Sequence, residues 1–236
     1  MGAYIGTSRS NTSDISKETH VESPILFCKA AQDGVSMGDC PFAHRCRMAF
    51  FITKQPYKLK PTVKDKKPEW LLNAPHNGSM PCFVSHQGLK DGSGAISQSA
   101  AIASKVLSPT KIDEQALKVT GPLFPAIAKF IKCKDISDLD LLRANLERVL
   151  AALDSHLAST SMDFLGGDGN TIGLADCHIA PYLYIIDIAA SHLRDFQISS
   201  DMRHLLSYKE RVLSHPALTT TAYTAEEMIH GWSDAH

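Results

Sequence analysis

Over the first hundred residues short apolar runs alternate with stretches of helical period; after that, helical period alone fills the chain. Ile25 to Ala31 is apolar enough for a buried strand, and the turn-like QDGVSMG follows it. Phe42, Cys46, Ala49 and Phe50 recur at helical spacing. They predict a helix opening at Cys40 or Pro41 that buries one face and turns His44, Arg45, Arg47 and Lys54 to solvent. Tyr57, Leu59, Pro61 and Val63 alternate with Lys58, Lys60, Thr62 and Lys64, a strand with one solvated face whose proline suits a sheet edge. A short helical KPEWLLNA and a turn at Asn77 and Gly78 come next. Residues 79–107 then read as strand, glycine-containing hairpin, strand, tight turn and helix.

That order, β-α-β-α-β-β-α, fits an α/β thioredoxin-like domain and puts Cys40 just past a strand at a helix N-terminus. From EQALKVT to EEMIHGW every segment is helical by period, so an all-α domain follows. Ser137 or Asp138 marks one helix start, and Gly173 with Asp176 three residues on marks another. The expected division is a flexible tail over residues 1–20, a thioredoxin-like domain over 21–108 and an all-helical domain over 112–236.

Composition narrows the partners. The net charge is -1 with 21% charged residues, so no basic field suits nucleic acid. No apolar run approaches the roughly 20 residues of a membrane span. The six cysteines show neither CxxC nor Cys/His zinc spacing and no apolar leader precedes them. They read as reduced thiols in a cytoplasmic setting, without a metal. The polar start carries acids as well as bases, which fits a transit peptide poorly, although a trimmed chloroplast form stays open. No dimer seam is visible, and a monomer is expected.

Cys40 is the residue with chemical promise. A thiol attacks only as thiolate, and a helix N-terminus favours the anion through its free N–H groups and dipole. Proline next to it suits the first helical position. Asp39 acts against the thiolate, which leaves substrate binding, proton transfer or turn formation as its work. By residues alone Cys40 is a nucleophile or a small buried hydrophobe. Cys28, Cys46, Cys82, Cys133 and Cys177 read as core. Pro81 opens a strand, either as an ordinary edge device or to free the Met80 backbone for a ligand. Ser93 precedes a helix and would cap it or offer its hydroxyl to a carboxylate. Among Lys60, Lys64, Lys66 and Lys67, mostly a solvated face, one would reach an anion.

Together DCPFAHR, KPEWLLNAPHNGSMPCFV, SGAISQ, LADCHIAPYLY and EEMIHGW resemble the glutathione transferase superfamily, and most closely its plant and algal dehydroascorbate reductase class. The resemblance spans about residues 24 to 234. It implies the glutathione transferase fold, glutathione as reducing co-substrate with no bound cofactor, and reduction of dehydroascorbate to ascorbate. Position by position it implies Cys40 as the catalytic residue and Lys29 and Asp39 as holding ascorbate or glutathione. Lys67 would bind a glutathione carboxylate, the Met80 backbone its peptide, Ser93 its γ-glutamyl end, and Trp232 would stand near ascorbate. Three departures stand out: Gly92 replaces an acid, Ile185 replaces a histidine, and the loop from Lys29 to Cys40 is one residue shorter. Three alternatives share the pattern: a glutathione-dependent thiol transferase acting on mixed disulfides, a non-enzymatic relative like the intracellular chloride channels, and a scaffold that has lost the chemistry.

Overall fold

The computed structural model describes residues 23–160 and 162–233, so the expected tail over 1–20 lies outside the described residues. The first half is built on β1 (Ile25–Lys29), α1 (Pro41–Thr53), β2 (Lys58–Thr62), α2 (Glu69–Leu72), β3 (Cys82–Val84) and α3 (Ser99–Val106). The sheet order is β2-β1-β3. The α1 crossover makes β1 and β2 parallel, with Ile25 beside Lys58. β3 runs antiparallel to β1, with Phe27 beside Cys82. Pro61 sits on the edge strand, where a missing N–H breaks no ladder.

The expected fourth strand shrinks to one bridge, in which Phe83 and Ile96 exchange N–H···O bonds of 2.8 Å. The chain between them coils tightly instead of forming a hairpin. Gly92 has φ +79°, and a Cβ there would stand 2.6 Å from the Trp70 ring. The acid that the resemblance expects at this place therefore has no room.

The second half is helical: α4 (Lys111–Thr120), α5 (Leu123–Ile131), α6 (Leu139–Thr160), α7 (Leu174–Ile185), α8 (Ser191–Arg194), α9 (Arg203–Ser214), α10 (Pro216–Thr219) and α11 (Ala225–Ser233). The run read as one helix from Glu114 to Cys133 breaks at Gly121 and Pro122, where proline cannot continue the ladder. A five-residue π turn, Ile186–Ala190, joins α7 to α8. No helix among the described residues is long and apolar enough to cross a membrane.

Two buried carboxylates pin the loop before α7. Asp176 accepts from the backbone N–H groups of Leu165, Gly166 and Gly173 and from the Tyr208 hydroxyl, at 2.7–3.1 Å. Asp113 closes a capping box with Thr110 and accepts from Ala175 N–H at 2.7 Å.

Helix α1 is buried on most of its circumference. Cys46 and Phe50 pack with Leu26, Phe83 and Ile102. Ala43, Met48 and Ala49 join Cys28 in a core continuous with Leu123, Leu150, Ile179 and Leu183 of the helical half. This corrects the expected solvated face: His44 is fully buried and Arg45 is 5% exposed, because helices α7 and α10 cover it. Four of the five other cysteines are core. Cys133 instead is half-exposed, its thiol against the Asp135 carbonyl, and all six are free thiols.

Candidate active site

The site begins at the end of β1. Gly38 N–H donates to the Lys29 carbonyl at 2.8 Å, and a Cβ at Gly38 would stand 2.7 Å from the Ala30 carbonyl oxygen. Only glycine lets the loop return this closely. Asp39 follows, buried, and accepts from Lys29 Nζ at 2.5 Å. On its other side lies α11: a Cβ at Gly231 would meet Asp39 Cγ at 2.2 Å. Cys40 is the N-cap of α1, with φ -76° and ψ 109°, and its carbonyl accepts from Ala43 and His44 N–H at 3.1 Å.

Cys40 is half-buried. Burial pushes its thiol above the ordinary value; the Ala43 and Phe42 N–H groups oppose that, Asp39 adds to it, and Lys29 subtracts. The helix terminus and the lysine thus restrain the rise without reversing it. Burial pushes Cys28 up to about 12 and raises Cys46 as well, which leaves both inert at neutral pH.

The helical half supplies an aromatic wall beside this thiol. Phe42 stacks edge-on to Phe124 at 4.8 Å, and Phe124 meets Tyr182 at 5.2 Å and Trp232 at 6.3 Å. Arg45 lies over the Phe42 and Tyr182 rings and donates to the Tyr182 hydroxyl. Trp232 Nε1 and the Tyr223 hydroxyl are buried with no hydrogen-bond partner among the described residues. A buried donor left without a partner forgoes about 1–3 kcal/mol, so such groups are candidates for contact with a ligand. Burial raises the Tyr223 hydroxyl pKa well above its usual value, and the charges of Cys40 and Asp39 add to the rise.

A second group gathers at the turn before β3. The Met80–Pro81 bond is cis, and the β1–β3 register, extended two residues, sets Met80 opposite Lys29. The Met80 backbone takes part in no hydrogen bond among the described residues outside the sheet ladder. Lys67 Nζ donates to the Gly78 carbonyl at 2.7 Å, two residues from Met80.

Ser93 is the misplaced expectation. It lies in an exposed turn, closed by its N–H to Asp91 Oδ1 at 2.9 Å, between Gly92 at φ +79° and Gly94 at φ +69°. That backbone cannot run into a helix; α3 starts at Ser99, with Gln98 in the capping position. A hydroxyl beside free helix N–H groups is therefore found at Ser99. Sequence reading also passed over Gly231, Arg45, Tyr182 and Tyr223. A glycine inside a helix of otherwise good formers was the one visible signal. Ile185 is fully buried in the core. Among the described residues no cluster of His, Cys, Asp or Glu could hold a metal ion.

The chain matches two family models, the glutathione S-transferase N-terminal domain over residues 35–108 and the C-terminal domain over residues 134–211. It is 29% identical over 201 residues to the probable glutathione S-transferase DHAR1, cytosolic, of Oryza sativa subsp. japonica, covering 84% of this chain and 91% of that one. It is 28% identical over 218 residues to the glutathione S-transferase DHAR3, chloroplastic, of Arabidopsis thaliana, covering 89% and 80%. The crystal structure of Chlamydomonas reinhardtii dehydroascorbate reductase superposes with a TM-score of 0.75 at 23% identity, over 92% of this chain and 100% of that one. A thioredoxin-like half that offers a cysteine at a helix N-terminus, an all-helical half that walls it in, and family matches to both together place this chain in the glutathione S-transferase family.

Proposed function

We propose that the protein reduces dehydroascorbate to ascorbate with glutathione, through Cys40. The observation that carries this reading is the placing of Cys40 at the N-terminus of α1 beside the Lys29–Asp39 pair; the names of its relatives support it. The Cys40 thiolate adds to a carbonyl carbon of dehydroascorbate. Water then attacks Sγ, the C–S bond breaks with its electron pair returning to the substrate, and ascorbate leaves behind a cysteine sulfenic acid. A glutathione thiolate displaces the sulfenic oxygen as water, forming a mixed disulfide. A second glutathione resolves it to glutathione disulfide and the Cys40 thiolate.

Lys29 and Asp39 orient the substrate and move its protons, and Trp232 Nε1 donates to a substrate oxygen. Lys67 and the Met80 backbone hold glutathione. Its γ-glutamyl carboxylate goes to the start of α3 at Ser99, where N–H groups are free, rather than to Ser93. The compartment is a reducing one, cytosol or plastid.

Glutathione-dependent ascorbate formation by the wild type and by Cys40→Ser tests the reading. Ping-pong kinetics in the first and loss of turnover in the second, with the fold intact by circular dichroism, are expected. A Cys40→Ser chain that keeps most of its activity overturns it. Faster turnover of a model mixed disulfide than of dehydroascorbate would make the protein a thiol transferase instead.

A further inference from the structure

Helix α11 touches the active site through a residue with no side chain. Gly231 is the seventh residue of this nine-residue helix, an interior place where glycine is a poor choice on helix-forming grounds alone. A Cβ there would lie 2.2 Å from Asp39 Cγ, 2.5 Å from Oδ2 and 2.6 Å from Oδ1. All three distances fall far inside van der Waals contact, so the bare Cα is the floor on which the carboxylate rests.

Asp39 has little space to retreat. It is 7% exposed, and Gly38 behind it is pressed onto the Ala30 carbonyl. Its carboxylate is also tied to Lys29 at 2.5 Å. Any residue at position 231 with a side chain must therefore move the carboxylate, and with it the lysine and the loop that ends at Cys40. The next residue, Trp232, lies on the same helix with its Nε1 buried and without a hydrogen-bond partner among the described residues, so α11 carries both the contact to Asp39 and the indole.

We propose that Gly231 is a positioning residue of the active site: its missing side chain lets α11 close on Asp39 and hold the Lys29–Asp39 pair in register with Cys40 for the substrate. The inference rests on the dehydroascorbate reductase reading for its kinetic consequence, but the coupling it asserts between Gly231 and Asp39 is independent of the substrate.

The test is a double-mutant cycle on the full chain with Gly231→Ala and Asp39→Ala. Two readouts are taken: kcat/KM for dehydroascorbate, and the pH dependence of Cys40 alkylation by iodoacetamide. Displacing a catalytic group by about 1 Å is enough to cost on the order of 10- to 100-fold. Gly231→Ala is accordingly expected to lower kcat/KM at least about tenfold and to move the alkylation midpoint. In the Asp39→Ala background the space exists, so adding Gly231→Ala should change neither readout by more than about twofold. An effect of Gly231→Ala on either readout that vanishes in that background supports the proposal. No effect on either, or an effect that persists undiminished without Asp39, overturns it. Should Gly231→Ala fail to fold, recovery of folding in the double variant supports it, and a double variant that also fails to fold overturns it. Alkylation still reads the coupling if the wild type proves inactive on dehydroascorbate, which keeps the two failures apart.

Discussion

Asp176 and Asp39 are both buried carboxylates next to a helix start, yet their surroundings differ. Asp176 receives four donors, three of them backbone N–H groups, and holds the loop before α7 against α9. Burial raises its pKa and those hydrogen bonds pull it down, so the site is built around the charge. Asp39 is paired with Lys29, whose side chain is 54% exposed, and the backbone of α11 at Gly231 lies against its carboxylate. A carboxylate with every donor supplied by its own chain has no capacity left for a ligand. One held by a half-exposed lysine beside a thiol keeps that capacity.

The contrast makes opposite demands on mutants. The largest effect belongs to the thiol: Cys40→Ser is expected to cut ascorbate formation at least about a thousandfold while the melting temperature stays within a few degrees, as assay and calorimetry would show. Asp176→Ala should act on the fold instead. It strands three backbone N–H groups and a tyrosine hydroxyl, and should cost about 3 kcal/mol in urea unfolding, with normal Cys40 alkylation in the chains that remain folded. Asp39→Asn should reverse that pattern, lowering kcat/KM for dehydroascorbate about a hundredfold with stability unchanged. It should also speed Cys40 alkylation at neutral pH, because the Asp39 charge raises the thiol pKa. An Asp39→Asn chain that unfolds as readily as Asp176→Ala would erase the distinction between the two carboxylates.

At neutral pH the smallest effect, one that grows only as acid is added, sharpens the same point with an uncharged group. His44 is buried and His178 half-buried, and desolvation lowers each pKa from 6.5 to about 3. The folded state cannot take up the proton that the unfolded chain takes up below pH 6.5, so stability falls as pH drops from 6.5 towards 3. One such histidine contributes about 1.4 kcal/mol per pH unit across that window. His44→Phe should flatten the acid limb of a stability-against-pH curve by about that slope, and should leave the alkylation of Cys40 in place.

Much of the fold was legible in local pattern. The apolar run at β1, the alternation at β2 and the Cys-Pro start of α1 declare themselves, because strand and helix periods are carried by nearest neighbours. Less legible was whatever depended on a second surface. His44 and Arg45 follow the polar pattern of an exposed face, yet α7 and α10 cover it, and nothing local to α1 announces a second core. The hairpin after β3 failed similarly: packing of Trp70 onto Gly92 and of Ser93 onto Gly88 coils the chain that glycines and alternation would have let pair. With it went Ser93, which its sequence neighbours put at a helix start that lies at Ser99.

Local pattern carries β1, β2, the start of α1, the change from an α/β half to a helical half, and the one cysteine whose neighbours favour chemistry, since each of these is written within a few residues. Tertiary contact alone sets Asp39 against the backbone of α11 at Gly231 and leaves Trp232 Nε1 and the Tyr223 hydroxyl without partners among the described residues. Those facts join residues almost two hundred positions apart, and no period or motif spans that distance; packing does.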